Sequence, residues 1–193
     1  MNKLLALSLL GFVAASSHAG YTVFVSETRS GSLGGNTALY GGVQRHNFTI
    51  SGAPSTPGTG IPAAQLSDPG GLYFANDKLY VSNRHGNSTG QGSVKAFDWD
   101  GSALSAVGTT VATSTSGSFA GFHGIRIAGD GKLYVSTVNG GSRQYTPSGG
   151  TFTDTGGTSG YQARESWISP DGLVLIEAGT GGSVGGFYRF CFP

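Results

Sequence analysis

One two-strand phrase recurs along this chain and constrains its fold more than anything else. It reads Gly-Leu-Tyr-Phe-Ala-Asn-Asp-Lys-Leu-Tyr-Val-Ser from Gly71 to Ser82. It returns as Gly-Ile-Arg-Ile-Ala-Gly-Asp-Gly-Lys-Leu-Tyr-Val-Ser from Gly124 to Ser136. A weaker copy runs from Ser166 to Glu177, and a half copy, Thr-Val-Phe-Val-Ser-Glu, opens at Thr22. Each unit is too small to bury its own apolar face, so it must stack on the next.

Within each copy a short apolar or aromatic strand leads through a turn into a second strand. The turns are Asn76-Asp77, Gly129-Asp130-Gly131 and Pro170-Asp171-Gly172. Such residues tolerate the positive φ of tight hairpins. A Gly-rich loop follows each hairpin, and then a third strand ends in an aromatic residue: Ser93–Phe97, Gly141–Tyr145, Gly42–His46 and Gly186–Phe190. Weaker Ser/Thr/Gly-rich strands are expected within 107–118 and 151–159. No segment after the leader shows helical periodicity with a cap.

The anchor residues Phe24, Tyr80, Tyr134 and Leu175 are spaced by 80 − 24 = 56, 134 − 80 = 54 and 175 − 134 = 41 residues. Radial blades of four strands take roughly 40–50 residues each. The expected fold is therefore all-β, a propeller-like array of four-stranded antiparallel blades. The units fall at about 20–52, 53–101, 102–149 and 150–193, about three and a half blades in all. Closed rings have typically about four to eight blades. An incomplete ring or open arc is the favoured arrangement. A small closed ring and a ring shared by two chains remain open. An open arc would expose strand edges and invite self-association.

The amino terminus reads as an export leader. Lys3 precedes the apolar stretch Leu4–Ala15, and Ser17-His18-Ala19 is a small-x-small cleavage site. Removal of residues 1–19 would leave 193 − 19 = 174 residues as one secreted or periplasmic domain, with no further apolar run long enough for a membrane span. Formal net charge is +1, which gives no electrostatic case for nucleic acid. Glycine accounts for 35 residues and charged residues for 11%, the balance of a turn-rich β protein. Cys191 is the only cysteine, so no internal disulfide can form; it reads as a small buried hydrophobe or a cross-linking thiol.

The phrase Pro69-Gly70-Gly71-Leu72, then Leu79-Tyr80-Val81-Ser82-Asn83, then Val94-Lys95-Ala96-Phe97-Asp98 with Gly101, resembles the NHL-type propeller repeat. It is also similar to the looser repeat of gluconolactonase-like and streptogramin-lyase-like six-bladed propellers. Val94 stands where the repeat carries Arg. Phe122-His123-Gly124-Ile125 resembles the Pro-His-Gly-Ile phrase of the lyase-like blades. In an enzyme of that kind the resemblance implies a polar channel mouth, with His123 as general base and Glu165 as its partner.

Aligned across the repeats, Gly70, His123 and Glu165 share one end of the sheets. Cross-strand pairing should bring His123 near Thr137 and Glu165 near Ala178. Beside them the loops would offer Glu27, Arg29, Tyr40, Asn83, Arg84, His85 and Asn139 to a ligand. A calcium site needs several convergent oxygens. Glu27, Asn83, Asn139, Glu165 and Glu177 carry oxygen, but Thr137 and Ala178 stand at positions equivalent to Glu27 and Asn83, so the set is incomplete. No metal and no cofactor is expected. Asp98-Trp99-Asp100-Gly101 reads as an outer turn. Tyr73, Tyr80, Tyr134, Tyr145, Trp167 and Phe187 read as packing between blades. The favoured function is an exported module that binds a small molecule, a glycan or a protein. The alternative is a lactone hydrolase or ring-opening lyase using His123 and Glu165.

Overall fold

A computed structural model describes residues 12–17, 20–26, 42–49, 58–66, 68–84, 92–114, 121–137, 141–157, 162–181 and 184–191. The described residues form fifteen strands in four antiparallel sheets. Sheet 1 comprises β1 (Phe12–Ser17), β2 (Gly20–Ser26), β3 (Val43–Thr49) and β4 (Gly58–Ile61). Sheet 2 comprises β5 (Pro69–Ala75), β6 (Lys78–Asn83), β7 (Ser93–Asp98) and β8 (Thr109–Thr113). Sheet 3 comprises β9 (Phe122–Ile127), β10 (Leu133–Thr137), β11 (Gly141–Ser148) and β12 (Thr151–Gly157). Sheet 4 has three strands, β13 (Gln162–Ile168), β14 (Val174–Gly181) and β15 (Val184–Cys191). One 3₁₀ turn, Ala63–Gln65, lies between the first two sheets, and no helix among the described residues is long and apolar enough to cross a membrane.

Each sheet is an up-and-down meander, and the sheets stack in chain order as an array that is not closed. Three apolar clusters fill the three gaps. Phe24, Val43, Leu72, Leu79, Val81 and Phe97 join sheets 1 and 2. Tyr80, Val94, Phe122, Ile125, Leu133 and Tyr145 join sheets 2 and 3. Ala128, Tyr134, Ile168 and Leu175 join sheets 3 and 4. Alternation decides this: Leu79 and Val81 face back while Tyr80 and Ser82 face forward.

The hairpins take their expected turns. Asn76 and Asp77 both have positive φ, 51° and 54°, between the paired Ala75 and Lys78. That is the conformation a two-residue type I′ turn requires. At the outer end Asp100 Oδ1 accepts from the Ser102 and Ala103 amides, each at 2.7 Å, so Asp98–Gly101 is a turn as expected.

Four expectations need correction. The weak strands β8 and β12 complete the preceding sheet instead of opening the next: β12 pairs with β11 through a two-residue turn, Ser148↔Thr151, and β8 returns across the ten-residue connection 99–108 to pair with β7. Sheet boundaries therefore fall between 61 and 69, 113 and 122, and 157 and 162. Sheet 1 has four strands, because Phe12–Ser17, within the stretch that reads as a leader, pairs with β2 from Phe12↔Val25 to Ser17↔Gly20. Leu175 faces back toward sheet 3, as Leu133 faces sheet 2, and is not the counterpart of Tyr134. The turn through Gly172 is one residue longer than that through Gly131: Ser169 pairs with Val174 where Ala128 pairs with Lys132. Finally, Trp167 and Phe187 are 49% and 84% exposed. They lie on the side of sheet 4 turned away from sheet 3, in register with Ile176 and Ala178.

The inner strands touch directly, β5 against β9 and β9 against β13. Glycine permits this. A Cβ on Gly71 would lie 2.6 Å from the His123 carbonyl oxygen and 2.9 Å from Gly124 Cα. The serine that ends the Val-Ser phrase bridges each gap. Ser26 Oγ donates to the Gly70 carbonyl at 2.8 Å. Ser82 Oγ accepts from the Gly71 amide at 2.7 Å and donates to the His123 carbonyl. Ser136 Oγ donates to Ser166 Oγ at 2.9 Å.

Ser82→Ala removes two buried hydrogen bonds, and we expect it to lower unfolding free energy by about 1–3 kcal/mol. Gly71→Ala drives a methyl group into backbone and should cost a similar ~1–3 kcal/mol. Urea denaturation followed by circular dichroism measures both; an unchanged midpoint would show that the sheets do not depend on these contacts.

Candidate functional site

The inner strands of sheets 2, 3 and 4 share an irregularity at the same end. In β5, Pro69 to Leu72 spans three steps against two from Asn83 to Val81. In β9, Phe122 to Ile125 spans three against two from Thr137 to Val135. In β13, Ala163 to Glu165 spans two against one from Gly179 to Ala178. Each inner strand thus carries one extra residue, a β-bulge, just inside its start. Bulges of this kind re-aim side chains.

The residue that follows the last pair before the bulge is Gly70 in β5, His123 in β9 and Arg164 in β13. Arg164, not Glu165, is therefore the counterpart of His123, a one-residue correction that follows from the longer Gly172 turn. Glu165 pairs with Ala178 as expected, and stands level with Gly71 and Gly124. A Cβ on Gly124 would meet Glu165 Oε1 at 2.5 Å, so glycine there leaves room for the carboxylate.

His123 is only 5% exposed. Arg84, which follows β6, brings Nη2 to 2.9 Å from His123 Nδ1. Arg164 brings Nη1 to 3.2 Å from His123 Nε2. Burial, followed by the positive charges of Arg84 and Arg164, pushes the imidazole pKa down to about 3. The ring is neutral throughout the physiological range. Arg84 Nη1 lies 3.9 Å from Asp68 Oδ2, and burial lowers the Arg84 pKa.

Glu165 is turned toward Arg126, with Nη2 at 3.1 Å from Oε1, although Oε1 is buried and takes no hydrogen bond. Burial pushes its pKa up, against the opposing pull of Arg126. Arg126 also lies 5.8 Å from the centre of the Tyr73 ring. His123 and Glu165 thus lie on neighbouring inner strands, but each answers to a different arginine.

Of the expected ligand-binding residues, Arg84 joins the site, half-buried. Asn83 is the last residue of β6 and is buried, not displayed on a loop. Glu27, Arg29, Tyr40, His85 and Asn139 lie outside the described residues. Arg126 and Arg164 were not anticipated. The signal for Arg164 is an arginine near the start of its inner strand, which only the bulge register brings into line with His123; Arg126 lies further along β9, paired with Tyr134. Among the described residues no three His, Cys, Asp or Glu side chains gather as a metal would need.

No family model matches this chain, and no curated protein matches it. Solved structures do. A gluconolactonase from Xanthomonas campestris aligns with TM-score 0.60 at 18% identity, over 93% of this chain and 56% of its own. A protein provisionally described as a gluconolactonase aligns with TM-score 0.57 at 16% identity, over 95% and 60%. A protein from Bacteroides uniformis, provisionally described as a 6-phosphogluconolactonase, aligns with TM-score 0.55 at 14% identity, over 98% and 67%. The chain therefore has the β-propeller fold and spans somewhat over half the length of the first two structures.

The low His123 pKa fixes a pH dependence. Between about 3 and 6.5 the unfolded chain binds a proton that the folded chain does not, so stability rises with pH across that window and is lost on acidification. One such group gives a slope of at most about 1.4 kcal/mol per pH unit. Glu165, with its raised pKa, works in the opposite sense above its ordinary range. The comparison of wild type with His123→Asn separates the two. We expect the variant to lose the His123 part of the slope in urea titrations at pH 4 to 7; parallel curves would contradict the assignment.

Proposed function

We propose that this chain is an exported propeller-fold module that binds a ligand at the bulge end of its inner strands. The observation behind this reading is the state of His123. Its two ring nitrogens face guanidinium groups, and the ring holds no exchangeable positive charge near neutrality. A general base works best with a pKa near the operating pH and a free path to the substrate proton. His123 has neither. Glu165, directed at Arg126, does not supply what His123 lacks. What the site offers instead is a fixed set of donors on rigid strands, which suits recognition. Export rests on the leader-like amino terminus; cleavage after Ala19 would remove β1 and leave sheet 1 with three strands, and it predicts a mature protein that begins at Gly20 by intact mass.

A second reading, lactone hydrolysis, is favoured by the fold likeness to a gluconolactonase. The two readings separate in one assay. The purified full chain is offered gluconolactone, other lactones and macrocyclic esters, with and without calcium. The binding reading expects no turnover above buffer, and a native circular dichroism spectrum for His123→Ala. Turnover that disappears in His123→Ala while the spectrum survives would replace binding with catalysis.

A further inference from the structure

Resting on the binding reading, we infer that the Arg84–His123–Arg164 cluster is a recognition site for a singly charged carboxylate group on the ligand.

The argument begins with proton counting. A guanidinium only donates, and a neutral imidazole has one N–H and one bare nitrogen. Arg84 faces Nδ1 at 2.9 Å and Arg164 faces Nε2 at 3.2 Å. Only one of those nitrogens can accept. Whichever tautomer is present, one arginine points a donor at a donor. That arginine lacks an acceptor on its His123 side. Protonating the ring would worsen matters, since it would add a third positive charge between the two guanidinium groups.

The rest of the surroundings do not relieve the conflict. Arg84 reaches Asp68 only at 3.9 Å, beyond hydrogen-bonding distance, and its buried Nε has no partner among the described residues. Arg164 has no carboxylate at ion-pair distance among the described residues, its one contact there being the His123 ring. Glu165 is committed to Arg126. Among the described side chains that contact His123 or its immediate partners, Arg84, Arg126 and Arg164 stand against Asp68 and Glu165, an excess of one positive charge within that group.

A carboxylate settles both accounts. It brings one negative charge, and its oxygens accept in pairs from a guanidinium fork. Seated against Arg84 and Arg164, it would take the misdirected donor and leave His123 to accept from the other arginine. The bulges hold His123 and Arg164 on neighbouring rigid strands, and Arg164 is exposed, so a ligand can reach it. Gly70, the counterpart in β5, puts no side chain in the way.

Calorimetric titration of the purified full chain tests this, with acetate, lactate and gluconate as carboxylates, glucose as the neutral control and inorganic phosphate as the alternative anion. We expect saturable binding of at least one carboxylate, weakened by salt, with glucose and phosphate silent or far weaker. Arg164→Gln should weaken it about tenfold or more, as loss of a charge-assisted hydrogen bond implies. Arg84→Gln should do the same. Because Arg84 is half-buried, the exposed Arg164→Gln variant, checked by its melting curve, carries the decision. Carboxylate affinity unchanged in a folded Arg164→Gln protein overturns the inference. So does phosphate binding as tightly as carboxylate. Binding of glucose with no response to carboxylates overturns it too, while leaving the binding reading intact.

Discussion

Everything at the site depends on how closely the inner strands of neighbouring sheets can approach. Backbone meets backbone between β5 and β9, and glycine at 70 and 71 is what allows it, as Gly124 does between β9 and β13. Such an approach brings carbonyl groups together in the dry interior, where a polar group without a partner is costly. Ser26 and Ser82 reach across the gap to carbonyls, and Ser136 makes the same crossing to a serine hydroxyl. A single repeated residue thus performs two tasks. It sits at or one residue before the end of a second strand, and it ties that strand's sheet to the next. The apolar clusters supply most of the burial, but they would tolerate sliding; the hydroxyl contacts fix which residue faces which.

That fixed register turns three ordinary bulges into a row. Gly70, His123 and Arg164 hold one position on successive strands, and Arg84 closes over the middle one. The consequence is electrostatic. A histidine confined between two guanidinium groups is neutral, and its ring cannot satisfy both. A buried arrangement of that kind either weakens the fold or serves a ligand, since polar networks left partly satisfied are unfavourable.

Much of the fold was legible in the sequence. The hairpins announced themselves through Asn76-Asp77 and the Asp-Gly turns, and the Leu-Tyr-Val cores gave the facing of each second strand. The outer strands were harder. Thr109–Thr113 and Thr151–Gly157 are mostly Thr and Gly and show no clear apolar-polar alternation, so their sequence does not say which sheet they join; their pairing with β7 and β11 does. The site was half legible. His123 and Arg84 were picked out, while Arg164 was missed. A turn one residue longer at Gly172 shifted the last repeat by one, and a shift of one carries each strand residue to the opposite face. Trp167 and Phe187 misled for a related reason: aromatic residues on a strand signal packing only where a second sheet covers that face.

The most direct test of this account is the ring of His123 itself, followed by nitrogen-15 and proton NMR from pH 5 to 8. Confinement between Arg84 and Arg164 predicts a neutral imidazole with one protonated nitrogen and no titration across that range. An imidazolium that forms with a midpoint near 6.5, the ordinary histidine value, would mean that the two guanidinium groups do not hold the ring, and the account of the site would fail with it.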